Sequence, residues 1–284
     1  MSFKVIVDSA SDIPSDRAAK AGILTVPMPV NIDGKTFLEG HDLSIGEFYA
    51  HYKEYKELPK TSQPSPNNLL EYYEKVLSEG HEVVAIHLSS GLSSTFTTAQ
   101  MVRDLTSAPD KVHIIDSLGA SFGYGLLALF AQEILASSDL WEEAETKILK
   151  LRKNMRYVFT LDTLEYLVKG GRVSKSAGFI GGLLDVKPVL HMTSDGRIEP
   201  YTKVRSRRSA IRKLVDTMEQ EIDHPEKQII GISHSACPED AQLLIKEIQQ
   251  RIDVKDIWLS EIGCVVGSHT GPGTIALYYS TKAG

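Results

Sequence analysis

The feature that most constrains this chain is the regular exchange of short apolar runs for longer amphipathic ones. Residues 4–7, 24–30, 83–88 and 112–115 are rich in Val and Ile and read as buried strands. Residues 67–77, 94–105, 118–136 and 140–154 read as helices, the first beginning after Pro66. Strand–helix alternation of this kind predicts a parallel sheet with helices on both faces.

The second half has a different order. Residues 157–161 form a strand, and 162–169 a short helix ended by Gly170-Gly171. Residues 187–192 and 197–203 read as two strands joined by Thr193-Ser194-Asp195-Gly196, a hairpin turn. Helices at 207–222 and 239–252 flank a strand at 228–233, and strands at 257–262 and 274–280 follow. The 284 residues suit two domains or one large α/β unit, and the change in element order divides them into an N-terminal α/β domain over 1–158 and a C-terminal one over 159–284. Residues 58–68, with three prolines, form a loop.

Charge and cysteine content narrow the functional classes. A net charge of −6 argues against nucleic acid as a partner, since neutralising phosphates takes a basic face. Two cysteines, Cys237 and Cys264, with no CxxC, argue against a disulfide framework or a cysteine-based metal site, and no metal is expected. Met1-Ser2-Phe3-Lys4 runs directly into a strand pattern, and residues 122–136 include Gln132 and Glu133. The expectation is a cytoplasmic protein that is not integral to a membrane, with transient membrane contact left open.

Three segments concentrate small polar residues. Thr61-Ser62-Gln63-Pro64-Ser65-Pro66 offers three hydroxyls on a proline-stiffened loop before a helix, and helix capping explains that loop if it stands alone. Ser89-Ser90-Gly91-Leu92-Ser93-Ser94-Thr95 leaves a strand and opens a helix. That geometry aims backbone N–H groups at an anion, at the strand end where α/β sheets bind ligands. Four serines and a glycine exceed what capping needs. Gly267-Ser268-His269-Thr270-Gly271-Pro272-Gly273-Thr274 reads as a tight loop whose backbone passes close to another object. A lone histidine there is a weak signal, strengthened by the other two loops.

Two basic features add to these. Arg172 follows Gly170-Gly171 in the segment that runs from Asp162 to Ser174, placed either to bind an anion or to cap helix carbonyls. The run 203–213 holds Lys203, Arg205, Arg207, Arg208, Arg212 and Lys213 around one strand-to-helix junction. Such a run is commonly a solvated face, and in an acidic protein it is also a candidate docking surface for an anionic partner.

Taken in order, these segments resemble the DegV family. Asp8-Ser9-Ala10-Ser11-Asp12-Ile13 is similar to its N-terminal signature. Thr61-Ser62-Gln63-Pro64, Ser90-Gly91-Leu92-Ser93-Ser94-Thr95, Leu161 to Leu167 with Gly170-Gly171-Arg172, Lys187-Pro188 and His269-Thr270-Gly271-Pro272-Gly273 are similar to the rest. Ser94 stands where the family usually has Gly.

The resemblance implies two α/β domains, an N-terminal parallel-sheet domain and a C-terminal mixed one, with a lipid site between them. It implies a long-chain fatty acid as ligand, no cofactor, and a carboxylate held by Thr61 and Ser93 beside His269. The expected ligand-binding set is Thr61, Ser62, Gly91, Ser93, Ser94, His269 and Thr270. The expected partner is the catalytic subunit of a bacterial fatty acid kinase, which phosphorylates the presented carboxylate. The chain itself is then no enzyme, with His269, Arg172 and Arg205 assisting phosphoryl transfer or docking.

The competing enzymatic reading is a serine-dependent lipid or ester hydrolase with Ser93 as nucleophile and His269 as base. Gly91-Leu92-Ser93-Ser94-Thr95 lacks the final glycine of a nucleophile elbow, and no orienting acid is evident. A dinucleotide enzyme is disfavoured because no G-x-G-x-x-G follows the first strand.

Overall fold

The computed structural model describes residues 2–138, 140–173 and 186–281, so Ser174 of the Arg172 segment lies outside the described residues. The N-terminal part holds a four-stranded parallel sheet. Its order is β2 (Leu24–Val26), β1 (Phe3–Asp8), β6 (Glu82–His87) and β7 (Val112–Asp116). Side chains alternate across it. Ile6, Val83 and Ala85 pack outward against Leu69, Tyr73 and Val102 of the helices Pro66–Ser78 and Thr95–Arg103. Val5, Val7, Val84 and Ile86 face inward.

The C-terminal part holds a six-stranded mixed sheet. Its order is β10 (Ile198–Val204), β9 (Lys187–Met192), β8 (Met155–Thr160), β13 (Ile275–Ser280), β11 (Ile229–His234) and β12 (Asp256–Glu261). Strands β9 and β10 form the hairpin expected at Thr193–Gly196, and among the described strands of this sheet only β11 and β12 pair in parallel. Helices Arg207–Glu221 and Pro238–Gln249 cover its outer face over Val158, Val189, Ile230 and Leu277. Residue 158, where the sequence places its boundary, lies within β8.

Helix Phe122–Ala136 joins the two parts. Residues 122–129 are apolar on all sides and buried, as in a helix without a solvent face, whereas Glu133 and Ala136 nearer its end are exposed. Phe122, Tyr124, Leu126, Leu127 and Ala128 are buried, and the helix touches β1 of one sheet and β8, β11 and β13 of the other. Its first turn starts four residues later than expected, because Leu118 and Ser121 take positive-φ conformations, φ 53° and 55°, that interrupt a helix.

Two further expectations are corrected, and one helix is new. Residues 24–30 do not make one strand. The chain leaves the parallel sheet after Val26, and Pro29 begins β3 (Pro29–Ile32) of a separate antiparallel sheet with β4 (Lys35–Leu38) and β5 (Lys60–Thr61). Prolines at 27 and 29 lack the N–H that a continuing ladder needs. The turn is Asp33-Gly34, both with positive φ as a tight hairpin requires. Helix Ile45–Ala50 was also not expected, although Ser44 and Glu47 form a capping box at its start. Lastly, His269 is not in a tight loop: it occupies the last turn of helix Cys264–Thr270, and Gly271 ends that helix.

Candidate functional site

A cavity of about 310 Å³ lies inside the central core, between the inner faces of the two sheets. Its walls are apolar: Met28 and Leu88 come from the N-terminal part, Phe159 and Ala276 from β8 and β13, and Met192 and Ile198 from the hairpin strands. Thr61, Ser62, Ser93, Ser94, His269, Thr270 and Arg172 line it together, so four segments distant in sequence meet at one place.

These polar groups are linked. Thr61 Oγ1 and His269 Nε2 are 2.7 Å apart. Ser93 Oγ lies 2.9 Å from Thr95 Oγ1 and accepts from the Thr95 amide at 3.3 Å, so it also caps the helix it precedes. Ser94 donates to the Gln63 side chain, which in turn donates to Thr98 Oγ1 at 2.8 Å. Arg172 Nε donates to the Leu92 carbonyl at 3.3 Å, which fixes the guanidinium beside the serine loop. The capping expected of the first loop falls to Ser65, which accepts from the Asn68 amide at 3.1 Å.

The serine loop serves the site through hydroxyls rather than through a backbone nest. The Ser90 amide donates to Asp116, the Gly91 amide to Ser89 Oγ, and the Leu92 and Ser93 amides to the Ser89 carbonyl. Those donors are already engaged. Gly91 accordingly does not line the cavity, contrary to expectation. It lies against the β9–β10 turn, where an added Cβ would sit 2.6 Å from the Gly196 carbonyl oxygen. Ser89 is buried and donates to that same oxygen at 2.7 Å.

Arg205 is likewise outside the cavity. It is exposed just beyond β10, on the segment entering helix Arg207–Glu221. Within its basic run, Arg207 pairs with Asp240 at 2.8 Å and Arg212 with Glu247 at 3.1 Å. The cavity residues that sequence alone did not single out are Gln63 and the wall residues, above all Tyr157, Phe159 and Tyr278. Gln63 sits inside a segment already noticed, whereas nothing in strand periodicity tells which apolar residues border a void.

The electrostatics suit a single negative charge. Burial, and secondarily the Arg172 charge, hold the His269 imidazole down to about 4, so it is neutral at neutral pH. Arg172 then supplies positive charge while Thr61, Ser93 and neutral His269 supply directional hydrogen bonding. The same facts weigh against a hydrolase. His269 Nε2 is engaged by Thr61, and Ser93 by Thr95, and among the described residues no carboxylate bonds His269. An imidazole held that low is a weak general base.

The model of the family described as an uncharacterised protein of the DegV family matches residues 2–282. The chain belongs to the DegV family. A DegV domain-containing protein of Caldanaerobacter subterraneus is 33% identical over 279 residues, covering 98% of each chain. A DegV family protein from Thermus thermophilus, described by its fatty acid binding, superposes with a TM-score of 0.92 at 30% identity, covering 99% of this chain and 100% of that one. A DegV lipid-binding protein from Thermotoga maritima superposes with a TM-score of 0.90 at 30% identity, covering 99% of each. The arrangement of a parallel sheet followed by a mixed one is therefore the DegV arrangement, and these solved relatives are described by fatty acid binding and by lipid binding. No helix among the described residues is long and apolar enough to cross a membrane. Among the same residues no group of His, Cys, Asp and Glu side chains is suited to hold a metal ion.

Proposed function

We propose that this chain binds one long-chain fatty acid, its acyl chain in the central cavity and its carboxylate at Thr61, Ser93 and His269, and presents that carboxylate to the catalytic subunit of a cytoplasmic fatty acid kinase. The observation that carries the reading is an apolar cavity that meets the Thr61–His269 pair, in the fold of fatty-acid-binding relatives.

The energetics agree. Roughly fifteen methylenes at ~0.8 kcal/mol each offer about 12 kcal/mol of gross transfer energy, ample to retain the ligand. A carboxylate taken from water costs several kcal/mol unless hydrogen-bonded. Hydroxyls and a neutral imidazole provide those bonds without a tight ion pair, leaving an oxygen able to attack a γ-phosphate. Phosphoryl transfer then depends on positioning and positive charge, to which Arg172 contributes from the cavity side. Exposed Arg205 fits the role of a contact with the kinase or its nucleotide.

Organic extraction and native mass spectrometry of the purified protein test the reading. The expected result is about one long-chain fatty acid per chain. A ligand-free protein that also ignores added palmitate and oleate overturns it.

A further inference from the structure

The Asp8-Ser9-Ala10-Ser11-Asp12 segment does not border the fatty-acid cavity, yet both its carboxylates are buried. Asp8 has a structural use. It accepts from the Leu88 amide at 3.0 Å and the Tyr124 hydroxyl at 2.7 Å, and pairs with His87 at 3.0 Å, fixing the chain ahead of the serine loop. Asp12 points elsewhere. It accepts from the Gly263 amide at 2.9 Å and from the Ser121 hydroxyl at 2.5 Å.

Glu39, just past β4, reaches the same spot and accepts from the Val265 amide at 3.1 Å. A Cβ on Gly263 would lie 2.2 Å from Glu39 Oε1 and 2.7 Å from Asp12 Oδ1, so glycine is what lets both carboxyls approach. Gly263 and Val265 flank the start of helix Cys264–Thr270, and His269 is in its last turn. Tyr49 donates to the Ile262 carbonyl at 2.9 Å immediately upstream. The helix that carries His269 is thus held at its start by two carboxyl groups from two other segments.

We propose that Asp12 and Glu39 form a proton-sharing latch that positions His269. With one proton between them they hold the helix start and, through it, the Thr61–His269 pair; with none, they loosen it. The inference rests on the fatty-acid reading of the cavity for its effect on binding.

Two ionised carboxylates cannot share a buried site without strong repulsion. Burial foremost raises Glu39 to about 7, and burial followed by the Glu39 charge raises Asp12 well above the usual carboxylate range. Hydrogen bonds, the Val265 amide's among them, favour the charged form of Glu39 without outweighing burial, and Glu39 Oε2 is buried with no hydrogen-bond partner. The other titratable groups facing the pair are Asp8, Tyr49 and Cys264, with Asp16, His41, His234 and Glu261 around the adjoining cleft. Apart from the histidines, none of these can bring positive charge to an ionised pair.

The test is the affinity for palmitate and for hexadecanol, measured from about pH 6 to about pH 8. Palmitate affinity of the wild type should fall about tenfold across that window, while hexadecanol, lacking a carboxylate, should not respond. Glu39→Gln keeps an acceptor for Val265 and cannot ionise, so its palmitate affinity should stay level with pH. Asp12→Asn should do the same, and Glu39→Ala should bind palmitate weakly throughout. The second readout needs no ligand: the His269 imidazole resonances should shift with pH near neutrality in the wild type and stay fixed in Glu39→Gln. A wild-type profile retained in Glu39→Gln overturns the latch. Failure to bind palmitate at any pH overturns the fatty-acid reading instead, and the imidazole resonances then decide the latch alone.

Discussion

Thr61 Oγ1 and His269 Nε2 lie 2.7 Å apart although 208 residues separate them in the chain. One sits at the end of a two-residue strand in a small sheet, the other in the last turn of a seven-residue helix. Their meeting places a hydroxyl and a neutral imidazole at one boundary of an apolar cavity.

Removing either hydroxyl that faces the proposed carboxylate should be felt by acids and not by alcohols. Thr61→Ala or Ser93→Ala leaves a buried oxygen short of a partner, with an expected loss of about 1–3 kcal/mol in palmitate binding. Hexadecanol affinity should change much less. Isothermal titration with both ligands checks this, and equal losses for both would move the head group away from these residues.

The two arginines should separate. Arg172 lines the cavity, and Arg205 does not. Arg172→Ala should weaken palmitate binding and slow kinase-dependent acyl-phosphate formation together. Arg205→Ala should slow acyl-phosphate formation alone, by about tenfold if one charge-assisted contact is lost. A coupled kinase assay run beside a binding measurement reads both, and unchanged turnover in Arg205→Ala returns that residue to a solvated face.

Stability should respond to pH with two opposed slopes. His269 is lowered to about 4 from the 6.5 of the unfolded chain, so the unfolded state binds more protons between those values. Its contribution is present above 6.5 and is lost as pH falls towards 4. Glu39 is raised from 4.5 to about 7, so the folded state binds more protons there, and stability falls as pH rises through that window. Urea midpoints across pH should show a shallower acid limb in His269→Asn and a shallower neutral limb in Glu39→Gln. Parallel curves for wild type and both variants would contradict these assignments.

Gly91→Ala should damage the site from outside it. The new methyl would meet the Gly196 carbonyl at 2.6 Å, forcing the serine loop and the β9–β10 turn apart. The expected cost is about 1–3 kcal/mol of stability, read as a lowered Tm. Because Ser93 follows two residues later, palmitate affinity should fall as well. An unaltered Tm would show that the loop and the turn yield independently.

The strands of both sheets, the β9–β10 hairpin and most long helices could be read from the sequence, because each is specified by local periodicity and turn chemistry. Thr61, Ser93 and His269 could be singled out too, since hydroxyls beside proline and glycine stand out from a strand–helix background. Residues 24–30 show where periodicity fails: it registers apolar residues but not that Pro27 and Pro29 hand the chain to another sheet. Tertiary structure alone decided the remainder. That Gly91 packs on Gly196 rather than lining the cavity, that Phe159 and Ala276 border a void, and that Asp12 and Glu39 converge on Gly263 are all contacts between distant segments. A sequence fixes what each residue can offer, whereas which offers coincide is set by how the two sheets close on the helix between them, and no local pattern encodes that.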